Sequence, residues 1–222
     1  MNIQGYEIEV IRKNIKNLHL YVLPPDGRLR ITCPQRTARV QLERFVGAHR
    51  QWIEAGRAKL QAAQEAYDAN AFYLWGKPYT LQQVSGGAFS LTIDGATAVF
   101  TVPANATAER KEAYLKEWYR AVLTAEATQL LREWESITCL HSSELRTRAM
   151  TTRWGTCNTK TKRIWIALRL AKLPKEWLRY VLLHELVHTE IPNHGQAFKA
   201  KLTEYMPQWR TIQQEMKSCT IL

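Results

Sequence analysis

The 222-residue chain has no continuous apolar run long enough to span a bilayer. Its opening stretch, MNIQGYEIEVIRKNIKNLHLYV, alternates polar and apolar residues and lacks the unbroken apolar core of a secretion signal, so a cytoplasmic location is expected. Cysteine is scarce: Cys33, Cys139, Cys157 and Cys219 are widely spaced and form no CxxC pair. That argues against a cysteine-based zinc site and a disulfide framework, and the thiols are expected to be free. Acidic residues are outnumbered, 20 against 31 Lys and Arg, giving a net charge of +11 and a pI near 9.6. Such a surface attracts anions at long range. The cations are spread along the chain, with local clusters at 146–148, 160–163 and 172–175, which also suits an ordinary solvated surface. There is no P-loop, no Asp/Glu-rich magnesium cluster, no zinc finger and no helix-turn-helix signature. No internal repeat or low-complexity segment is evident.

Hydrophobic residues make up 45% of the chain, enough to bury a core of one large or two small domains. Alternation predicts strands over 6–12, 17–23 and 29–33, with a turn at Pro24-Pro25-Asp26-Gly27. Helical spacing follows over about 36–70. A second β region begins at Trp75-Gly76-Lys77-Pro78, turns at Gly86-Gly87 and Asp94-Gly95, and ends over 99–102. A long amphipathic helix is expected from 108 to about 134. Short strands are expected near 137–140, 146–153 and 163–168, with a turn over 155–162. Pro174 suits the first turn of a helix reaching about residue 190, where Pro192 stops it. Two more helices follow, over 195–205 and 208–216. The turn-prone VPANAT segment suggests a boundary near 104, with a β-rich N-terminal region over 1–103 and a catalytic region over 104–222.

The chemistry concentrates in His184-Glu185-Leu186-Val187-His188. Side chains four apart share one helical face, so His184 and His188 can present two imidazoles to one ion. Zn²⁺ takes such nitrogens in tetrahedral geometry, and Glu185 beside the first ligand can act as general base on a water the metal has acidified. The bland alternative is a buried helix with two satisfied histidines and a surface Glu. Against it, residues 180–183 are apolar, which makes the helix interior, and an ionised interior Glu needs a partner. A third ligand also follows at once. His194 is six residues past His188 and cannot share its face on a straight helix. Pro192 turns the chain, Asn193 tolerates the turn, and His194 can then face back to the metal. Glu204 and Glu190 are lesser ligand candidates. His19, His49 and His141 lack metal spacing.

These residues resemble the YgjP-like zinc metallopeptidases, relatives of the SprT-like zincins. The resemblance rests on HELVHTEIPNHGQAF, on the block Met150-Thr151-Thr152-Arg153-Trp154-Gly155-Thr156-Cys157, and on Tyr180-Val181, Phe198 and Pro207-x-Trp209. The β-rich leader with Arg12-Lys13, Asp26-Gly27 and Cys33-Pro34 is similar too. Departures fall at Ile166-Ala167, Arg179 and Lys199, none of them a ligand. The resemblance implies an α+β fold, with a zincin-like core whose HExxH helix lies beside a small sheet, preceded by the β-rich region. It also implies that Arg153-Trp154-Gly155 lies near the site. From the residues alone, Trp154 reads as a core anchor, and Arg153 reads as a possible contact to an anionic substrate group or an oxyanion.

Three readings follow. The first is zinc-dependent hydrolysis of protein or peptide, the substrate favoured by negative charge. The second keeps the metal and cleaves a phosphoanhydride, such as a nucleoside triphosphate. The third is a DNA-associated SprT-like protease, for which no nucleic-acid-binding motif is present.

Overall fold

The computed structural model describes residues 1–23, 26–66 and 71–218. Pro24, Pro25 and Cys219, named above, lie outside the described residues. The chain divides into two compact units, Met1–Asp68 falling in one and Ala69–Met216 in the other. The β-rich stretch up to residue 103 is therefore shared between the two units. No described helix is long and apolar enough to cross a membrane.

The first unit holds strands β1 (Asn2–Ile3), β2 (Tyr6–Lys13), β3 (His19–Leu23) and β4 (Arg28–Pro34) in the order β1-β2-β4-β3. Helices α1 (Arg39–Ala48) and α2 (Arg50–Ala66) follow. The single helix expected over 36–70 is thus two, broken at His49, whose backbone leaves helical geometry at φ −107°, ψ 13°. Its ring Nδ1 lies 2.8 Å from the carbonyl of Phe45, so this histidine ends a helix. Alternate residues Leu29, Ile31 and Cys33 of β4 are buried with Ile8, Leu42, Val46 and Ile53 in one core.

The second unit opens with β5 (Ala71–Leu74), β6 (Lys77–Gly86), β7 (Ser90–Asp94) and β8 (Thr97–Pro103), ordered β5-β6-β8-β7. This repeats the topology of the first sheet. In each, the first two strands are antiparallel, the second and fourth parallel, and the third and fourth antiparallel. Each opening hairpin turns through two residues of positive φ, Gln4-Gly5 at 51° and 86° and Trp75-Gly76 at 52° and 77°. The third and fourth strands are joined through Gly27 in one sheet and Gly95 in the other, both at positive φ. The fourth strands bury alternate residues alike and end on Pro34 and Pro103. The chain thus contains a structural repeat that sequence inspection did not show.

Helix α3 (Ala108–Thr138) follows, with Thr107 Oγ1 accepting from the Arg110 N–H at 3.4 Å. It runs further than expected and replaces the strand predicted over 137–140. Thr138 Oγ1 donates back to the Trp134 carbonyl at 2.7 Å, and Cys139, in the left-handed region, caps the helix by donating its N–H to Glu135 O. Strands β9 (Glu144–Arg148), β10 (Gly155–Asn158) and β11 (Arg163–Ala167) form a small sheet ordered β10-β11-β9. β10 occupies residues expected to turn. It pairs antiparallel with β11, while β9 runs parallel to β11.

A 3-10 helix (Leu168–Lys172) leads to Pro174 and helix α4 (Lys175–Val187). The β5–β6 turn fixes this entry: the Trp75 and Gly76 N–H groups donate to Ala171 O and Lys172 O at 2.9 and 3.1 Å. Gly76 is needed there, because a Cβ would meet Pro174 at 3.0 Å in addition to the strain of its positive φ. α4 is buried on most of its surface, with Leu178, Leu182, Leu183 and Leu186 at 0% exposure. Such a helix is held by core packing rather than by propensity, each buried leucine contributing about 2 kcal/mol. Trp134 of α3 donates its indole N–H to Arg179 O at 3.0 Å, and the Arg179 guanidinium meets Glu133 at 3.0 Å. Helices α5 (Gln196–Tyr205) and α6 (Trp209–Ser218) complete the chain. The architecture is α+β, with the HExxH helix lying against a small sheet.

Candidate metal centre

α4 ends at Val187, two to three residues before the expected stop. His188 keeps helical geometry at the C-cap, φ −65° and ψ −16°, so His184 and His188 still share a face. The Ile191 N–H donates to Val187 O at 2.9 Å, and Pro192 then forbids continuation. His194 lies in the connection, with Gly195 as the N-cap of α5. This turn swings the His194 ring back over α4.

The three imidazoles converge through their Nε2 atoms. His194 Nε2 is 3.0 Å from that of His184 and 3.0 Å from that of His188. A neutral imidazole carries one ring proton, and His188 Nδ1 lies 3.0 Å from the Ile191 carbonyl, which can only accept. The proton of His188 is therefore on Nδ1 and its Nε2 presents a lone pair to the centre. Burial, then His188 and His194, pushes the His184 imidazole down to about 3. Burial lowers His188 as well. His184 and His188 thus resist protonation while the three Nε2 atoms face one point, which is a setting for a metal cation. Nitrogens bound at about 2.0–2.1 Å in a tetrahedron stand roughly 3.3 Å apart, close to this spacing. Among the described residues, these three form the one group of His, Cys, Asp and Glu close enough to share an ion.

Other groups set the rings. Tyr180 Oη lies 3.4 Å from His184 Nδ1 and accepts from Gln213 Nε2 of α6 at 3.0 Å. Phe198 of α5, 1% exposed, packs against all three rings with centroid separations of 4.9, 4.5 and 4.9 Å. Buried apolar backing of this kind fixes ring orientation and limits solvent.

Glu185 is 6% exposed. Burial raises its carboxyl to about 8, while Arg153 and the Cys157 N–H, which donates to it, pull the other way. β10 brings that N–H into place. Its first residue approaches Glu185 so closely that a Cβ on Gly155 would lie 2.8 Å from Glu185 Cγ and Oε1 and 2.9 Å from Val181 Cγ1. The Arg153-Trp154-Gly155 block is therefore beside the site. Arg153 is exposed, whereas Trp154 is half-buried, edge-on to Trp177 with centroids 6.2 Å apart and covered by the Arg169 guanidinium at 3.7 Å. Trp154, expected in the core, instead sits half-buried, held between Trp177 and Arg169. Cys157 is half-buried, and burial together with the Glu185 charge pushes its thiol up to about 11. Cys33 and Cys139 are free as well.

The lesser ligand candidates stand outside the cluster. Glu204 faces Lys201 at 3.4 Å, and Glu190 and His141 are exposed. Gln213 and the close approach of Gly155 were not foreseen. A glycine opening a strand next to a predicted catalytic helix was the available signal for Gly155. Nothing local marks Gln213.

Comparison with curated proteins gives no match. Among solved structures, the chain is similar to the metallopeptidase zymogen abylysin of Pyrococcus abyssi, at 21% identity and a TM-score of 0.38 over 40% of this chain and 90% of that one. It is also similar to the metallopeptidase zymogen jannalysin of Methanocaldococcus jannaschii, at 24% identity and a TM-score of 0.37 over 41% and 87%. A family model described as the YgjP-like metallopeptidase domain matches residues 16–219. The chain therefore belongs to the YgjP-like metallopeptidase family, and it is a metal-dependent hydrolase of peptide bonds.

Proposed function

We propose that the protein is a zinc-dependent peptidase whose ion is held by His184, His188 and His194 and whose general base is Glu185. Residues 104–222 supply this machinery. The observation that carries the reading is the convergence of three Nε2 atoms beside a buried carboxylate held by the Cys157 N–H. Three imidazoles without a thiolate suit Zn²⁺, which when bound supplies Lewis acidity that polarises a carbonyl and acidifies water.

The chain's own residues do the rest. Pro192 and Asn193 place His194, and Ile191 O fixes the tautomer of His188. Phe198 keeps the rings packed and water away from their rear faces. The Glu185 carboxylate takes the proton from the attacking water and passes it to the departing amine nitrogen. Burial raises the affinity of this carboxylate for a proton, the direction that favours the first transfer. Exposed Arg153, close enough to act electrostatically on Glu185, would bind a substrate carboxylate or carbonyl oxygen.

The test is Glu185→Gln. It keeps the volume and the three ligands but removes the base. Zinc content near one per chain with hydrolysis of unfolded protein lost by about 10²-fold or more supports the assignment. Wild-type turnover in that variant excludes Glu185 as the base.

A further inference from the structure

A second cavity, of about 460 Å³, lies in the same unit between α3 and the segment before β10. Its wall carries three cations, Lys116, Arg169 and Lys172, against one carboxylate, Glu112. Apolar surface comes from Leu115 and Met150, among others. Lys172 is half-buried, and its ammonium sits 5.3 Å from the Tyr119 ring centroid. Neither Lys116 nor Lys172 has a carboxylate within ion-pair distance among the described residues. An ammonium partly removed from water without a counter-charge is a costly arrangement that an incoming anion relieves. Burial accordingly lowers the Lys172 pKa, which is the direction expected of a cation lacking a partner.

The cavity is linked to the metal centre by short steps of chain and packing. Arg169, on its wall, covers Trp154. The residue after Trp154 is Gly155, whose Cα faces Glu185. The cavity wall also includes Ala149, Met150 and Thr151. Gly155 is six positions after Ala149 in the sequence, at most about 22 Å when fully extended. A polypeptide positioned at Glu185 can therefore reach the cavity within about six of its own residues.

We propose that this cavity is an accessory subsite that takes an acidic side chain of a polypeptide substrate, paired with Lys116 and Lys172, while an adjacent apolar residue packs on Leu115 and Met150. The inference rests on the peptidase reading and adds a specificity to it. The mixed lining favours an acid next to an apolar residue over a fully hydrated anion, and its distance from Glu185, within reach of one extended chain, favours a polypeptide over a free small molecule.

The experiment uses the full-length, zinc-loaded Glu185→Gln protein, so that the probe is not consumed. Two terminally blocked fluorescent peptides of equal length are compared, one alternating leucine with aspartate and the other leucine with asparagine. The acidic peptide is expected to bind about tenfold more tightly by anisotropy, the order of one or two charge-assisted contacts. Adding K116Q and K172Q should erase the difference, whereas K172R should retain it. Equal binding of the two peptides overturns the proposal, as does an acidic preference that survives K116Q with K172Q. An unblocked copy of the acidic peptide is run alongside, and tight binding confined to it also overturns the proposal, because the site would then read chain termini. Cleavage is assayed separately with wild-type protein. If the acidic peptide is bound as predicted but neither peptide is cut, the subsite stands and the peptidase reading falls. If both peptides are cut alike and neither is preferred in binding, the reverse holds.

Discussion

Gly155 and Glu185 meet without room for a methyl group. A Cβ on Gly155 would sit 2.8 Å from both Cγ and Oε1 of Glu185. The strand that supplies the Cys157 N–H to the carboxylate can therefore approach α4 only because its first residue has no side chain. Gly155→Ala is expected to lower stability by about 1–3 kcal/mol through overpacking. It should also cut kcat by about 10–100-fold by displacing the base. Steady-state kinetics and thermal melting measured together check this, and unchanged kcat would show that the contact is not needed for catalysis.

Gln213 acts through Tyr180 on His184. Gln213→Leu is expected to weaken zinc binding by about tenfold, the usual scale for loss of a hydrogen bond behind a ligand. Tyr180→Phe should give a similar loss. Zinc competition against a chelating dye reads this directly, with melting of the metal-free protein as the control for a general folding defect.

The thiols should react in a fixed order. Cys139 is exposed, whereas the half-buried Cys157 has its thiol pushed up to about 11 by burial and by Glu185. The thiolate is the reactive form, so iodoacetamide at neutral pH is expected to label Cys139 well before Cys157. Peptide mapping over time checks the order.

Removing the metal exposes the cost of burying Glu185. Its carboxyl is raised from 4.5 to about 8 in the folded, ion-free protein. The folded state therefore holds this proton more tightly than the unfolded chain. The contribution is fully present below pH 4.5 and is lost as pH rises toward 8, at most about 5 kcal/mol by linkage. His184, lowered to about 3, works in the opposite direction below pH 6.5. The difference between wild type and Glu185→Gln isolates the glutamate. In chelator-treated protein, the variant's Tm advantage should grow from pH 6 to pH 8.5, and a constant difference would contradict the buried-carboxylate account.

Much of the candidate site was legible because it is local. His184, Glu185 and His188 need only helical periodicity, and His194 needs only the turn enforced by Pro192. Gln213 was hidden because it reaches Tyr180 from a helix 33 positions away. Gly155 depends on where β10 lands against α4, a tertiary fact, and the Cys block read as a turn rather than a strand. Ile137, Cys139 and Leu140 look strand-like, yet α3 carries on to Thr138, where tertiary packing outweighs propensity. The paired four-stranded sheets were invisible for a different reason. Their likeness lies in strand order and in turns such as Gln4-Gly5 and Trp75-Gly76, where backbone geometry is preserved and side chains are not.

The central claim is that three imidazoles and one carboxylate form a zinc-dependent peptidase centre. Its most direct test is zinc content and product identity measured on the same preparations of wild type, Glu185→Gln and a His184/His188/His194 triple alanine variant. Each is incubated with unfolded protein and with nucleoside triphosphates. The account predicts about one zinc per chain in the first two and little in the third, with new peptide termini produced by wild type alone and no phosphate release. Full zinc retention by the triple variant, or Glu185-dependent phosphate release with every polypeptide left intact, would contradict it.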